Sequence, residues 1–136
     1  ALSSDRVRLF GMVPDLREYF DKARIFIAPT RFAAGIPIKA YEAASHGLPI
    51  VATDLIAAQL DFVSRENILS GDSDTAFAEA CAELYTSEPL WSHIRENALC
   101  RVAVDCSSDF FDATIAQILQ RVTPKSSRRV QEHATF

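Results

Sequence analysis

The stretch that decides the fold is Gly35-Ile36-Pro37-Ile38-Lys39-Ala40-Tyr41-Glu42-Ala43-Ala44-Ser45-His46-Gly47-Leu48-Pro49-Ile50-Val51-Ala52-Thr53. Pro37 suits the first helical position, where its missing N–H is no loss. From Ile38 to His46 the pattern continues as a helix, with Ala40, Ala43 and Ala44 forming one compact face. Gly47 then ends it, because glycine adopts the left-handed conformation that closes a last turn, and Pro49 forbids the helix to resume. Pro49 to Ala52 is short and apolar, a buried strand that delivers Thr53 and Asp54 at its end.

Upstream, Ile25 to Ala28 is a second continuous apolar run, stopped by Pro29, the pattern of a strand covered on both faces of a parallel sheet. Before it, Asp15 is placed to cap a helix from about Leu16 to Ala23, with Glu18 positioned to reach back. Val7 to Val13, with Leu9, Phe10 and Val13 as β-favouring bulk and Pro14 as its close, is predicted as the first strand. Downstream, a less regular segment reaches Asn67, and Ile68 and Leu69 make a final short strand.

Three helices are predicted to follow. Asp74 to Tyr85 places Phe77, Ala80, Cys81 and Leu84 on one face; Pro89 to Val104 turns Trp91, Ile94, Ala98 and Val102 inward; Ser108 to Val122 turns Phe111, Ile115 and Ile118 inward. Lys125 to Phe136 reads as a frayed tail. Strands alternating with helices give an α/β fold: a Rossmann-like parallel sheet flanked by helices, with the C-terminal helices packed on it. The expected organisation is one domain over residues 1–122 and a flexible tail over residues 123–136.

Composition narrows the function. At 136 residues the chain has room for one domain, and 49% apolar with 24% charged residues is an ordinary globular balance that excludes disorder as the dominant state. Fourteen Lys plus Arg against eighteen Asp plus Glu leave a formal charge of −4, the wrong sign for a nucleic-acid partner. Cys81, Cys100 and Cys106 lack disulfide or zinc spacing and read as reduced thiols, hence a cytoplasmic location. His93 and His133 have no ligand pattern around them, so no metal is expected. No apolar run is long enough to span a bilayer, and Ala1 to Arg8 lacks the build of a signal peptide. With no initiator Met and an immediate first strand, the chain reads as a piece of a longer protein, truncated on its N-terminal side.

Ligands of open parallel sheets bind beyond the carboxyl ends of the strands. There, Gly35 lets a backbone approach closely, and Pro37 opens a helix whose free N–H groups favour an anion. Lys39, in the first turn of that helix, opposes the helix dipole unless an anion neutralises both, and Arg31 stands near the same strand end. Glu42, a turn further on, has the two acceptor oxygens that grip a ribose diol. Its plainer role is a solvated carboxylate paired with Lys39 at i, i+3. Asp54 sits where a phosphoacceptor aspartate would, but the acidic pair such a site needs on an earlier strand is missing.

The run Phe10-Gly11-Met12-Val13-Pro14-Asp15-Leu16, the pair Ala28-Pro29, and Gly35-Ile36-Pro37 with Glu42 to Thr53 resemble a known family. It is the C-terminal, donor-binding domain of GT-B glycosyltransferases of the glycosyl transferases group 1 superfamily, and the likeness covers roughly Val7 to Val122. The resemblance implies a parent enzyme that transfers a hexosyl group from a nucleoside diphosphate sugar to an acceptor, with retention of configuration. This chain would bind the donor and be inactive alone, its catalytic groups belonging to an absent N-terminal domain.

Carried over by position, Glu42 matches the second acid of the family's Glu-x7-Glu motif and would hold the donor ribose. Val13 matches the turn whose backbone meets the base. Gly35, Ile36 and Ile38 match the turn at the diphosphate and sugar, with Lys39 and Arg31 beside it. Eight residues before Glu42 the motif's first acid is replaced by Ala34, and Ile36 and Pro37 stand where the family often has Phe and Gly. That departure keeps two rivals open: a noncatalytic nucleotide or protein binding module, and a nucleotide-sugar isomerase of the same fold. No cofactor is implied. The implied partners are the donor, an acceptor, a second copy through an exposed sheet edge, and a membrane surface touched peripherally by the parent.

Overall fold

The computed structural model describes residues 7–32 and 35–122. Its elements run α1 (Arg17–Lys22), β1 (Phe26–Ala28), α2 (Ile38–Ser45), β2 (Ile50–Ala52), α3 (Asp54–Leu60), β3 (Leu69–Ser70), α4 (Asp74–Thr86), α5 (Glu88–Asp105) and α6 (Ser108–Val122). The three strands are parallel in the order β1-β2-β3, with Phe26 opposite Ile50, Ala28 opposite Ala52, and Val51 opposite Leu69. The fold is therefore α/β and Rossmann-like. The described chain divides into two compact units, one up to Ala103 and the other from Val104.

The central strand explains why the first unit holds together. All three residues of β2 are fully buried, and alternation sends them to opposite faces. Ile50 and Ala52 pack with Ala40 and Ala44 of α2 and Ile56 of α3. Val51 packs with Leu69, Leu84 of α4 and Ile94 of α5. Each such Leu or Ile contributes about 1.5–3 kcal/mol by leaving water, so the short strands are secured by helices on both sides.

The glycine stop works as read. Gly47 has φ of +69°, its N–H donates to the Ala44 carbonyl at 2.8 Å, and the Leu48 N–H donates to the Ala43 carbonyl at 3.0 Å. This is a Schellman closure, which uses up two carbonyls that the helix end leaves over. Arg95 of α5 donates from Nε to the Gly47 carbonyl at 3.0 Å, fastening the end of α2 to a helix 48 residues away. The same guanidinium lies 5.6 Å from the centre of the Trp91 ring.

Four expectations need correction. Val7 is an isolated bridge residue and Arg8 to Val13 form no strand: Gly11 turns the chain at φ +64° and Met12 is 96% exposed. β-favouring side chains make a strand only where an edge and a packing surface receive them. Among the described residues β1 is therefore an edge strand, and Ile27, read as covered on both faces, is 52% exposed. The segment read as irregular contains α3, whose Ile56, Ala57 and Leu60 are buried. Finally, α6 has the expected bounds, but Phe111, Ile115 and Ile118 are exposed and the helix buries no residue. Its apolar period is right, and its own unit supplies no surface to cover it.

The other helices follow their sequence signals. The N-cap of α1 is Leu16, one residue later than read and without a side-chain cap; Asp15 instead accepts from the Arg17 N–H at 2.9 Å from just before it, Glu18 pairs along the helix with Lys22 instead of reaching back, and the Ser73 hydroxyl caps α4 from 3.1 Å. On α5, Ile94, Ala98 and Val102 are buried as read. The expected tail lies outside the described residues. No helix among the described residues is long and apolar enough to cross a membrane.

Candidate functional site

Beyond the end of β1 a cleft of about 500 Å³ opens between that strand and the start of α2, within the usual ~300–1,000 Å³ of small-molecule sites. Ala28, Pro29 and Thr30 form one wall, and Gly35, Ile36, Ile38 and Lys39 form the other. The geometry follows from local sequence. Gly35 has φ of +102°, a conformation that strains any residue with a Cβ, and the space where its Cβ would sit is open. Pro37, one residue earlier than read, is the N-cap of α2 and offers neither a side-chain cap nor an N–H.

The rim of the cleft is therefore rich in donors. Ile38 N–H donates to the Ile36 carbonyl at 2.9 Å, whereas the N–H groups of Gly35, Ile36 and Lys39 donate to no acceptor among the described residues. The first turn of α2 has no acidic residue, and the exposed Lys39 makes no ion pair among the described residues. A cation beside the positive end of a helix, with free amides around it, is a receiver for negative charge.

Lys39 also borders a second, larger recess of about 700 Å³. That recess is lined by Val13, Phe10, Leu16, Tyr19 and Phe20, and it shares Phe26, Ile27 and Lys39 with the cleft. Val13, distant in sequence, is thus brought beside the cleft. Glu42 lines neither space. It stands one turn beyond Lys39 and Ile38 on α2, exposed, and helical spacing places it on the face those two residues share.

Arg31 goes elsewhere. Its guanidinium pairs with the Asp74 carboxylate, and it lines a smaller recess of about 160 Å³ between the strand ends and α4. Asp72, which lines that recess, accepts from the Asp54 N–H at 2.9 Å, so the first N–H of α3 is satisfied there. Ala34 lies outside the described residues. His46 ends α2 with Nδ1 3.6 Å from the Asp21 carboxylate and its ring against Phe20, away from the cleft. No cluster of three or more His, Cys, Asp or Glu placed for a metal occurs among the described residues.

Two cleft residues escaped the sequence reading. Thr30 contributes a hydroxyl at the β1 end, and its carbonyl accepts from Thr53 Oγ1 at 2.7 Å, which ties the ends of β1 and β2 together. Ile56 enters from α3. The pair Thr53-Asp54, a β-branched residue followed by an acid, was the available signal for that helix start.

The model of a family described as glycosyl transferases group 1 matches residues 1–87, well over half the chain, including all three strands and α2. No curated protein matches the chain.

Proposed function

The chain belongs to glycosyl transferases group 1, and on that footing we propose that its cleft holds a nucleoside diphosphate sugar as glycosyl donor in a GT-B enzyme. The observation that carries the proposal is the meeting of Lys39 with the free amides of Gly35, Ile36 and Lys39 on one rim. A diphosphate has the charge and the acceptor oxygens to satisfy all of them. Glu42, a turn away, takes the ribose hydroxyls, and the recess containing Val13 takes the base, so that Lys39 stands between the two ends of the nucleotide.

Among its described lining the cleft has no carboxylate, imidazole or thiol to move a proton. We accordingly assign this chain donor binding and stabilisation of the leaving diphosphate, whose charge grows as the sugar departs. Hexosyl transfer with retention, and activation of the acceptor, then depend on groups outside the 136 residues, and the chain alone does not turn over. Three cysteines outside any disulfide fit a cytoplasmic setting, and the edge position of β1 among the described residues fits self-association.

The test is calorimetric titration of the chain with UDP, GDP, ADP and thymidine diphosphate and with their hexose derivatives. Binding of one diphosphate series in the micromolar range, lost in Glu42→Ala, supports the proposal. Absence of binding by every nucleotide in the panel refutes it.

A further inference from the structure

Seven consecutive residues, Phe32 to Ile38, carry no side chain able to donate or accept a hydrogen bond. Of these, Ile36 and Ile38 line the cleft while remaining 74% and 72% exposed, and Ile27 joins them from β1. Three large apolar side chains thus look into a space that also has free amides on its rim. Only Thr30 and Lys39 bring polar side chains to the described lining.

This is a poor seat for a sugar bearing its full set of hydroxyls. The amides and Lys39 are engaged by the diphosphate, and a hydroxyl set against Ile36 or Ile38 gives up its hydrogen bonds to water and regains none. A methyl group at the same place gains by leaving water. Resting on the donor site described above, we propose that the sugar of the donor is a 6-deoxyhexose, whose methyl group lies against the isoleucines where other hexoses carry a hydroxymethyl.

The experiment uses sugar nucleotides matched in base and ring and differing only at C6: GDP-D-mannose against GDP-D-rhamnose, UDP-D-galactose against UDP-D-fucose, and thymidine diphosphate glucose against its 6-deoxy counterpart. Each is titrated into the full chain beside the sugar-free diphosphate. In the pair whose base the chain accepts, the deoxy member is expected to bind about tenfold more tightly, the penalty of one unpaired hydroxyl. Ile36→Thr keeps the β-branch, supplies a hydroxyl at an exposed position, and is expected to erase most of that preference; its melting temperature checks the fold. Equal or tighter binding of the hydroxylated member, with the sugar-free diphosphate still bound, overturns this inference and leaves the donor site standing. Failure of every sugar-free diphosphate to bind overturns both.

Discussion

Lys39→Gln separates a ligand-seeking charge from an ordinary surface lysine, because the structure gives its two effects opposite signs. In the free protein Lys39 lies in the first turn of α2, with no ion pair among the described residues to offset its repulsion from the helix dipole. Removing a charge from that position relieves about 0.3–1 kcal/mol, which in a chain of this size raises the melting temperature by about 1–4 °C. In the complex the same ammonium faces a diphosphate. At about 4 Å a charge pair is worth ~1 kcal/mol in water and up to ~4 kcal/mol near a protein surface. Since Lys39 is exposed, the lower half of that range applies, and the expected loss of affinity is about 5- to 70-fold. The loss should shrink as added salt screens the pair. Thermal denaturation and titration of a nucleoside diphosphate at low and high salt measure both effects. A variant that is less stable than the parent, or that binds the diphosphate within twofold of it at low salt, refutes the reasoning.

Other positions give independent tests. Gly71→Ala would place a Cβ 2.8 Å from the Ala76 carbonyl carbon and 2.9 Å from the Phe77 nitrogen, all rigid backbone; overpacking of this kind costs about 3 kcal/mol, and a fall of about 10 °C in melting temperature is expected. A shift under 2 °C would show that α4 yields freely, at roughly a fifth of that cost or less. Arg31→Ala should leave diphosphate affinity within about twofold, since Arg31 is engaged with Asp74 in a different recess; a loss as large as that of Lys39→Gln would return Arg31 to the donor site. The Arg65 guanidinium, hydrogen-bonded to Glu83, holds the Glu83 carboxyl below its usual range. The stability this pair adds is present above the ordinary carboxyl range near ~4.3 and disappears as pH falls through the lowered value. Arg65→Met should therefore lower the melting temperature modestly at neutral pH and leave it unchanged at about pH 3, whereas an equal effect at both would mean the contact acts through packing.

How much could be read in advance depended on whether the determining contacts were local. The stop at Gly47-Leu48-Pro49 is written in three adjacent residues, so α2 ends and β2 begins within a residue or so of the positions read. The long helices α4 and α5 likewise declare themselves through period and capping. Arg8 to Val13 failed because a strand is made by its neighbour, and among the described residues that segment joins no ladder. Likewise α3 was hidden by its brevity: seven residues with Thr53 as a poor cap give little period to detect.

The site divides in the same way. Gly35, Ile36, Ile38 and Lys39 converge because one turn carries them all, and Val13 reaches the neighbouring recess through the packing of α1. Arg31, as close to the strand end in sequence as any of them, is drawn off by Asp74, 43 residues away, which no local pattern announces.

Helix α2 is held unequally at its two ends. Its last turn is closed by Gly47 and bolted to α5 through Arg95, while its first turn rests on a proline that contributes no capping group. Eight residues at 1.5 Å of rise make a rod about 12 Å long. A tilt of only about 5° about the bolted end would sweep the opposite tip through about 1 Å, as much as separates a good hydrogen bond from none. Ala40, in that same first turn, is packed into the core with Ile50 and Ile56, so that contact, and not a cap, fixes where Ile38 and Lys39 stand at the mouth of the cleft.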